Sequence, residues 1–133
     1  NSNFIPLPLH YKYYQYLHLP RVIKALRFGF KNKPIIYGLR CVVTNMIYIG
    51  HTFVPQDRFL QHLVLHVHTN TNLQEAIAKH TLSKFTAIIF EVVVFPEGAD
   101  YFARRDHIRS IGQRYIDMFP KAQLYNTIDS VSS

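Results

Sequence analysis

Hydrophobic positions near the start of the chain recur every three or four residues. Between Pro20 and Lys33 they are Val22, Ile23, Leu26 and Phe30. Lysine and arginine occupy intervening positions, so this segment predicts a basic amphipathic helix. We expect the helix to belong to a basic, aromatic-rich N-terminal extension over residues 1–33, which precedes the main folded domain.

Two strand-like runs follow, over residues 35–43 and 46–52. Because only Thr44 and Asn45 separate them, they predict an antiparallel hairpin. Residues 85–95 are nearly all apolar and rich in β-branched side chains. A run of this kind predicts a central strand that is covered on both faces.

Helical spacing returns between and after these strands. Pro55, with Asp57 in the first turn, predicts the start of a helix. We expect its apolar stripe to be buried: Phe59, Leu60, Leu63, Val64 and Val67. Residues 69–72 predict a turn and cap before a short second helix, and residues 99–119 predict a long third helix. Its apolar side is Phe102, Ile108, Ile111, Tyr115 and Phe119. The order β-β-α-α-β-α predicts an α+β domain over residues 34–127, followed by a flexible tail over residues 128–133.

Composition restricts the class of protein. The chain has 133 residues, 48% of them hydrophobic, which suits one domain with a core of its own. No apolar run reaches the roughly 18 residues that a membrane span needs, so we expect no membrane partner. Cys41 is the one cysteine, which excludes an intramolecular disulfide framework and a cysteine-based zinc site.

The positive charge is concentrated at the beginning of the chain. The net charge is +7, yet no acidic residue precedes Asp57, and acids and bases balance from there onward. The early bases are Lys12, Arg21, Lys24, Arg27, Lys31, Lys33 and Arg40. Tyrosines and phenylalanines are interleaved with them, and cations with aromatic rings suit phosphates and unpaired bases. We therefore expect a nucleic-acid partner, DNA or RNA, the alternative being a solvated basic face. An acid-free, basic start is also typical of organellar precursors, so we expect an intracellular, mitochondrial location.

Four polar side chains then fall in a recognisable order. Tyr37 ends the tripeptide Ile-Ile-Tyr in the first strand-like run, and Tyr48 begins Tyr-Ile-Gly in the second. Arg58 and His62 follow, one turn apart on the next predicted helix. Taken singly, each has an ordinary explanation as a strand tyrosine or a surface helix residue. In this order and on these elements, over about residues 34–126, they resemble the GIY-YIG nuclease family.

The resemblance implies a small three-stranded antiparallel sheet flanked by helices, and a metal-dependent endonuclease that uses Mg²⁺ or Mn²⁺. By resemblance, Tyr37 is the base that takes a proton from the attacking water, and Tyr48 positions water and phosphate. Arg58 would stabilise charge on the scissile phosphate, and His62 would donate a hydrogen bond near it. Asn126 matches an asparagine near the end of the family domain, where we expect it to help bind nucleic acid.

The expected metal position departs from the family pattern. A glutamate is expected on the long helix, and Gly112 or Gln113 occupies its place. Glycine has no side-chain ligand, and glutamine lacks the negative charge that holds Mg²⁺. Glu91 is the one acid that would substitute, although a partly solvated strand residue is the simpler interpretation. The first motif also has Ile35 where the family has glycine.

Two functions therefore stay open, and with them the question of enzymatic activity. The first is a GIY-YIG-type endonuclease acting on DNA, like the homing endonucleases of organellar introns. The second is a catalytically silent relative that binds RNA within an organellar ribonucleoprotein, such as the mitochondrial ribosome, alongside other proteins. The intact Tyr37, Tyr48, Arg58 and His62 favour the first, and the missing glutamate favours the second. A protein-interaction domain without affinity for nucleic acid is a third possibility.

Overall fold

A four-stranded antiparallel sheet forms the centre of the protein, in a computed structural model that describes residues 3–67 and 70–126. The predicted flexible tail and Thr69 of the predicted turn lie outside the described residues. The elements are β1 Lys12–Tyr14, α1 Pro20–Gly29, β2 Ile35–Cys41, β3 Ile47–Thr52, α2 Pro55–Leu60, a π-helical turn Gln61–Leu65, α3 Thr71–His80, β4 Phe85–Val92 and α4 Tyr101–Asp117. In this part of the chain, no helix has the length and apolar character to cross a membrane.

The predicted α+β class is confirmed, but the prediction of three strands is wrong. The sheet has the strand order β1-β4-β2-β3, and the fourth strand comes from the N-terminal extension. There, β1 pairs antiparallel with β4, so that Lys12 lies opposite Ile89 and Tyr14 opposite Ala87. A three-residue strand carries too little periodicity to be recognised from sequence, and it forms because the edge of β4 offers it backbone partners.

The N-terminal extension builds part of the core. Leu17, Leu26 and Phe30 are buried in the same cluster as Tyr37. The position of α1 is also set by α2, because Arg27 Nε donates a hydrogen bond of 2.9 Å to the carbonyl of Gln56. Residues 1–33 therefore contribute a strand, a helix and core side chains to the domain.

The two faces of the sheet pack against different helices. Alternate residues of β2 point to opposite faces. Tyr37 and Leu39 join side chains from α1, α2 and α3, and we call this side the α2 face. Ile36 instead joins the apolar residues Ile108 and Ile111 of α4, and we call that side the α4 face. Any site that combines Tyr37 with a residue of α4 must therefore extend around an edge of the sheet.

The apolar stripe predicted for the helix that begins at Pro55, which is α2 in the structure, is only partly buried. Phe59 and Leu63 lie in the core, whereas Val64 and Val67 are exposed, so the prediction for these two valines is wrong. The helix changes to a π-helical turn after Leu60, and the extra residue in that turn alters the direction of the following side chains. Phe102 of α4 is also exposed, because the first turn of α4 precedes the part that packs on the sheet.

Candidate functional site

Tyr37 is positioned by a glycine on the neighbouring strand. It lies directly opposite Gly50 in the β2–β3 pairing. A methyl group on Gly50 would lie 2.4 Å from both Cζ and the hydroxyl oxygen of Tyr37, which is far inside van der Waals contact. The tyrosine ring thus passes over Gly50, and a side chain at residue 50 would displace it. This contact gives the glycine of Tyr48-Ile49-Gly50 a steric role.

Three of the predicted catalytic residues converge on the α2 face. The Tyr37 ring lies 6.2 Å from the Tyr48 ring and 5.7 Å from the His62 ring, measured between centroids. The Tyr37 hydroxyl is 2.7 Å from His62 Nε2, a hydrogen bond in which the phenol donates when Nε2 is unprotonated. Phe59 packs on the same ring at 5.0 Å. All four side chains have zero exposed surface, so the cluster is closed to solvent.

His62 reaches this cluster from the π-helical turn. Gln74 of α3 donates a hydrogen bond of 3.2 Å from Nε2 to the carbonyl of His62, which helps to hold the turn. The turn ends at His66, whose backbone is left-handed with φ 53°. Single π turns are frequent at functional sites, where they redirect a side chain that a regular helix would place elsewhere.

Burial keeps Tyr37 in its neutral phenol form, which is poorly suited to accept a proton. Desolvation raises the pKa of Tyr37 to about 12, and the smaller, opposing effects come from Arg58 and Tyr48. With a pKa raised this far, very little phenolate is present at pH 7. A tyrosine that acts as a general base needs a pKa much nearer the working pH. In this conformation, Tyr37 is better suited to hold His62 than to activate water.

Arg58 connects the two faces at the outer edge of β3. On the α2 face, its charge opposes part of the rise in the pKa of Tyr37 that burial causes. On the α4 face, the same charge contributes to the lowered pKa of His51, the residue that follows Gly50. Burial, Arg58 and Arg109 of α4 together lower the pKa of His51 to about 4. The guanidinium groups of two helices therefore act on one imidazole at this edge.

A cavity of about 380 Å³ opens beside this edge. Among the residues that line it are His51, Asp57, Arg58, Gln61, Tyr101 and Arg105. Asp57 is the one carboxylate among its described lining residues, against two arginines. Fixed guanidinium groups in a partly enclosed space favour a phosphate-like anion.

The residues present do not fit a bound Mg²⁺ or Mn²⁺. A Cβ atom on Gly112 would lie 3.6 Å from His51 Nδ1, so the expected glutamate position borders a histidine near two arginines. Gln113 is exposed, and its amide donates a 2.9 Å hydrogen bond to Asp117. Across residues 3–67 and 70–126, no three His, Cys, Asp or Glu side chains are grouped closely enough to hold a metal ion.

Glu91 does not supply the missing ligand either. Its carboxylate accepts a hydrogen bond of 2.7 Å from the hydroxyl of Tyr115 on α4. On the strand β2 between them, Ile36 lies opposite Glu91 on one side and opposite His51 on the other, so a whole strand separates Glu91 from the edge.

The residues predicted to bind nucleic acid differ in their surroundings. The exposed ones are Lys12, Arg21, Lys24, Lys31 and Lys33. Arg27 and Arg40 are half-buried and donate hydrogen bonds within the domain, Arg27 to the Gln56 carbonyl and Arg40 to Asn45 Oδ1. Asn126 exchanges two hydrogen bonds with the backbone of Ile49, at 2.9 and 2.8 Å, and so holds the outer edge of β3. Its observed role is structural.

His51, Arg105 and Arg109 are not among the site residues predicted from the sequence. A signal was available, because Arg105 and Arg109 are one turn apart on α4 and share a face with Gly112. Only the packing of α4 against β3 shows that this face meets the site.

Comparison with protein families, with curated proteins and with solved structures finds no match to this chain.

We predict that His51 titrates near pH 4. Because its folded pKa lies below the ordinary 6.5, the unfolded chain binds the proton first. The stabilisation from neutral His51 is therefore complete above about pH 6.5 and decreases as the pH falls toward 4. Histidine ring signals in an NMR titration measure the pKa directly. Arg109→Gln should raise it by removing a nearby cation, whereas Lys79→Gln on α3 should leave it unchanged. A midpoint at or above 6.5 contradicts the prediction.

Proposed function

We propose that this protein is a nucleic-acid-binding domain of the GIY-YIG nuclease type that does not hydrolyse phosphodiesters with a metal. The observation that carries the proposal is the environment of Gly112. Where the resemblance expects a metal carboxylate, the chain has glycine beside His51, near Arg58 and Arg109. This arrangement repels a divalent cation and attracts a phosphate.

The relation between Tyr37 and Gly50 supports the assignment to this nuclease type. Tyr37 belongs to the first tripeptide of the resemblance and Gly50 to the second. The Tyr37 ring occupies the space that a side chain on residue 50 would fill. Arg58 follows on α2, close enough to influence the phenol. Tyrosine, glycine and arginine are therefore spatially coupled, as a shared site requires.

Exposed side chains at the beginning of the chain support binding to unpaired nucleic acid. Tyr11 and Tyr13 are exposed, and Tyr11 contacts Phe30 with ring centroids 5.9 Å apart. This contact brings the segment that carries Lys12 close to the segment that carries Lys31 and Lys33. Exposed rings among cations suit single strands of RNA or DNA, because bases stack while phosphates are neutralised. We propose that this surface would serve an RNA-binding role in an organellar ribonucleoprotein.

An active metal-dependent endonuclease is the second candidate. The observation in its favour is the convergence of Tyr37, Tyr48 and His62, with the charge of Arg58 acting on the same phenol. It requires the cluster to open to solvent and a metal to be bound without the expected carboxylate.

Salt-dependent binding tests the nucleic-acid proposal. We expect the full chain to bind a single-stranded RNA or DNA oligonucleotide with an affinity that falls steeply with salt. Lys31→Glu combined with Lys33→Glu should weaken binding and reduce the salt slope by about 1 for each phosphate contact that is lost. Lys79→Glu combined with Lys84→Glu is the matched control, since both lysines are exposed but lie on other elements. An equal loss of affinity in the two double variants would mean that oligonucleotide binding depends only on the net charge of the protein.

Plasmid nicking separates the two candidate functions. With Mg²⁺ or Mn²⁺, we expect the wild-type chain to leave supercoiled plasmid intact at concentrations where it binds. Gly112→Glu introduces the expected carboxylate, and nicking by this variant beyond that of Gly112→Gln would show that the missing ligand alone prevents hydrolysis. Nicking by the wild-type chain that Arg58→Gln abolishes would establish the endonuclease instead.

A further inference from the structure

A groove separate from the candidate site runs between α1 and the π-helical turn. It has a volume of about 520 Å³, within the usual range of ligand sites. Its apolar walls are Pro20, Ile23, Phe28, Leu63 and Val64. None of these side chains lines the cavity beside β3, although Leu63 also belongs to the core cluster that contains Tyr37.

The groove leaves large apolar side chains in contact with water. Phe28 is 45% exposed and Val64 is 46% exposed, and Leu65 next to Val64 is exposed as well. The chain's own periodicity predicted Val64 to be a core residue. Exposed apolar side chains that are grouped in a concave site indicate a binding surface.

The charge around the groove is entirely positive among its described lining residues, where Lys24 and Arg27 are the charged members. The segment that contributes α1 has no acidic residue, since the first acid of the chain is Asp57. A partner that fills the apolar walls would therefore gain most by placing carboxylates against Lys24 and Arg27.

The groove is poorly suited to nucleic acid. Phe28 is its one aromatic ring among the described lining residues, and the Arg27 guanidinium already lies 4.8 Å from the centroid of that ring. The other walls are aliphatic or proline and give a base little to stack on. Apolar anchors with charged flanks are instead the pattern by which a groove binds an amphipathic helix.

We propose that this groove binds an acidic amphipathic helical segment of another protein. Apolar side chains of the segment, one turn apart, would lie against Ile23, Phe28 and Val64. Its carboxylates would face Lys24 and Arg27. Lys24 and Arg27 were also predicted to bind nucleic acid, but the inference does not depend on that function, because its apolar anchors and its ligand class are different.

Designed peptides test the groove with the full chain. An acidic helical peptide of about five turns carries leucine on one face and glutamate on the others. We expect it to bind saturably and to shift the NMR signals of Ile23 and Val64. Replacing its glutamates by lysine, or its leucines by alanine, should weaken binding by roughly tenfold or more. Equal binding of the acidic and basic peptides would overturn the proposal.

Matched variants of the protein locate the site. Val64→Glu should lower the affinity for the acidic peptide by roughly tenfold or more. Val67→Glu should leave this affinity unchanged, because Val67 is exposed but does not line the groove. Val64→Glu should leave oligonucleotide binding unchanged, which separates this inference from the proposed function. An RNA oligonucleotide that shifts the Ile23 and Val64 signals would overturn the choice of partner. Self-association of the protein without peptide, measured by sedimentation and abolished by Val64→Glu, would also overturn the choice of partner.

Discussion

Gly50→Ala is expected to lower the free energy of unfolding by about 2–4 kcal/mol. The added methyl group would lie 2.4 Å from Tyr37, whose ring cannot move away because Tyr48, Phe59 and His62 enclose it. The substitution should also break the 2.7 Å hydrogen bond between Tyr37 and His62 in a buried environment. Urea denaturation with an unchanged slope would measure the loss.

Gly112→Ala is the matched control for this prediction. It is also a glycine-to-alanine change at a buried position, but the new methyl group would meet His51 at an ordinary 3.6 Å. Because Gly112 lies inside α4, alanine should leave stability unchanged or increase it by up to about 1 kcal/mol. Equal stability of the Gly50→Ala and Gly112→Ala proteins would contradict the steric role of Gly50.

A double-mutant cycle identifies the contact responsible. Tyr37→Leu removes the ring that crosses Gly50, so Gly50→Ala should cost less in that background. We expect a coupling energy above about 1 kcal/mol, which is characteristic of residues in direct contact. Additive effects would place the cost of Gly50→Ala elsewhere in β3.

Leu26→Ala is expected to destabilise the domain by about 2–5 kcal/mol, the usual cost of truncating a fully buried leucine. Leu26 lies on α1, has zero exposed surface and belongs to the core cluster that contains Tyr37. Leu9→Ala is the matched control, since Leu9 lies in the same N-terminal segment but is 92% exposed. It should change stability by less than about 0.5 kcal/mol.

Deletion of residues 1–33 is expected to prevent the rest of the chain from folding. The deletion removes β1, α1 and three core side chains, and we expect the remaining chain to lack a cooperative unfolding transition. Circular dichroism with thermal denaturation would detect this. A truncated protein that unfolds as cooperatively as the full chain would show that the extension is dispensable. Nucleic-acid binding by the extension is therefore tested with point substitutions at Lys31 and Lys33.

The local elements of the fold followed closely from sequence. The hairpin turn lies at the predicted place, where Asn45 adopts the left-handed backbone that asparagine tolerates. Pro20 and Pro55 begin α1 and α2, as expected for a residue that has no amide hydrogen to leave unpaired. The strand predicted from Phe85 onward is β4, buried between both layers.

The candidate site followed from sequence only in part. Tyr37, Tyr48 and His62 lie together in the structure, whereas the catalytic roles that the resemblance implies for them stay predictions. Their closure to solvent did not follow, because it depends on Phe59 and on packing from α1 and α3. The cationic character of the edge depends on α4, which the chain reaches only after crossing the sheet again.

By itself, the order of amino acids determined which segments are strands and helices, where they turn and where positive charge accumulates. These properties depend on neighbours along the chain, through backbone preferences and the spacing of apolar side chains. Only the tertiary structure decided that the extension completes the sheet, that Tyr37 is sealed over Gly50 and that His51 lies within the influence of Arg58 and Arg109. These properties depend on which distant segments pack together, since burial and electrostatic environment are set by residues far apart in the chain.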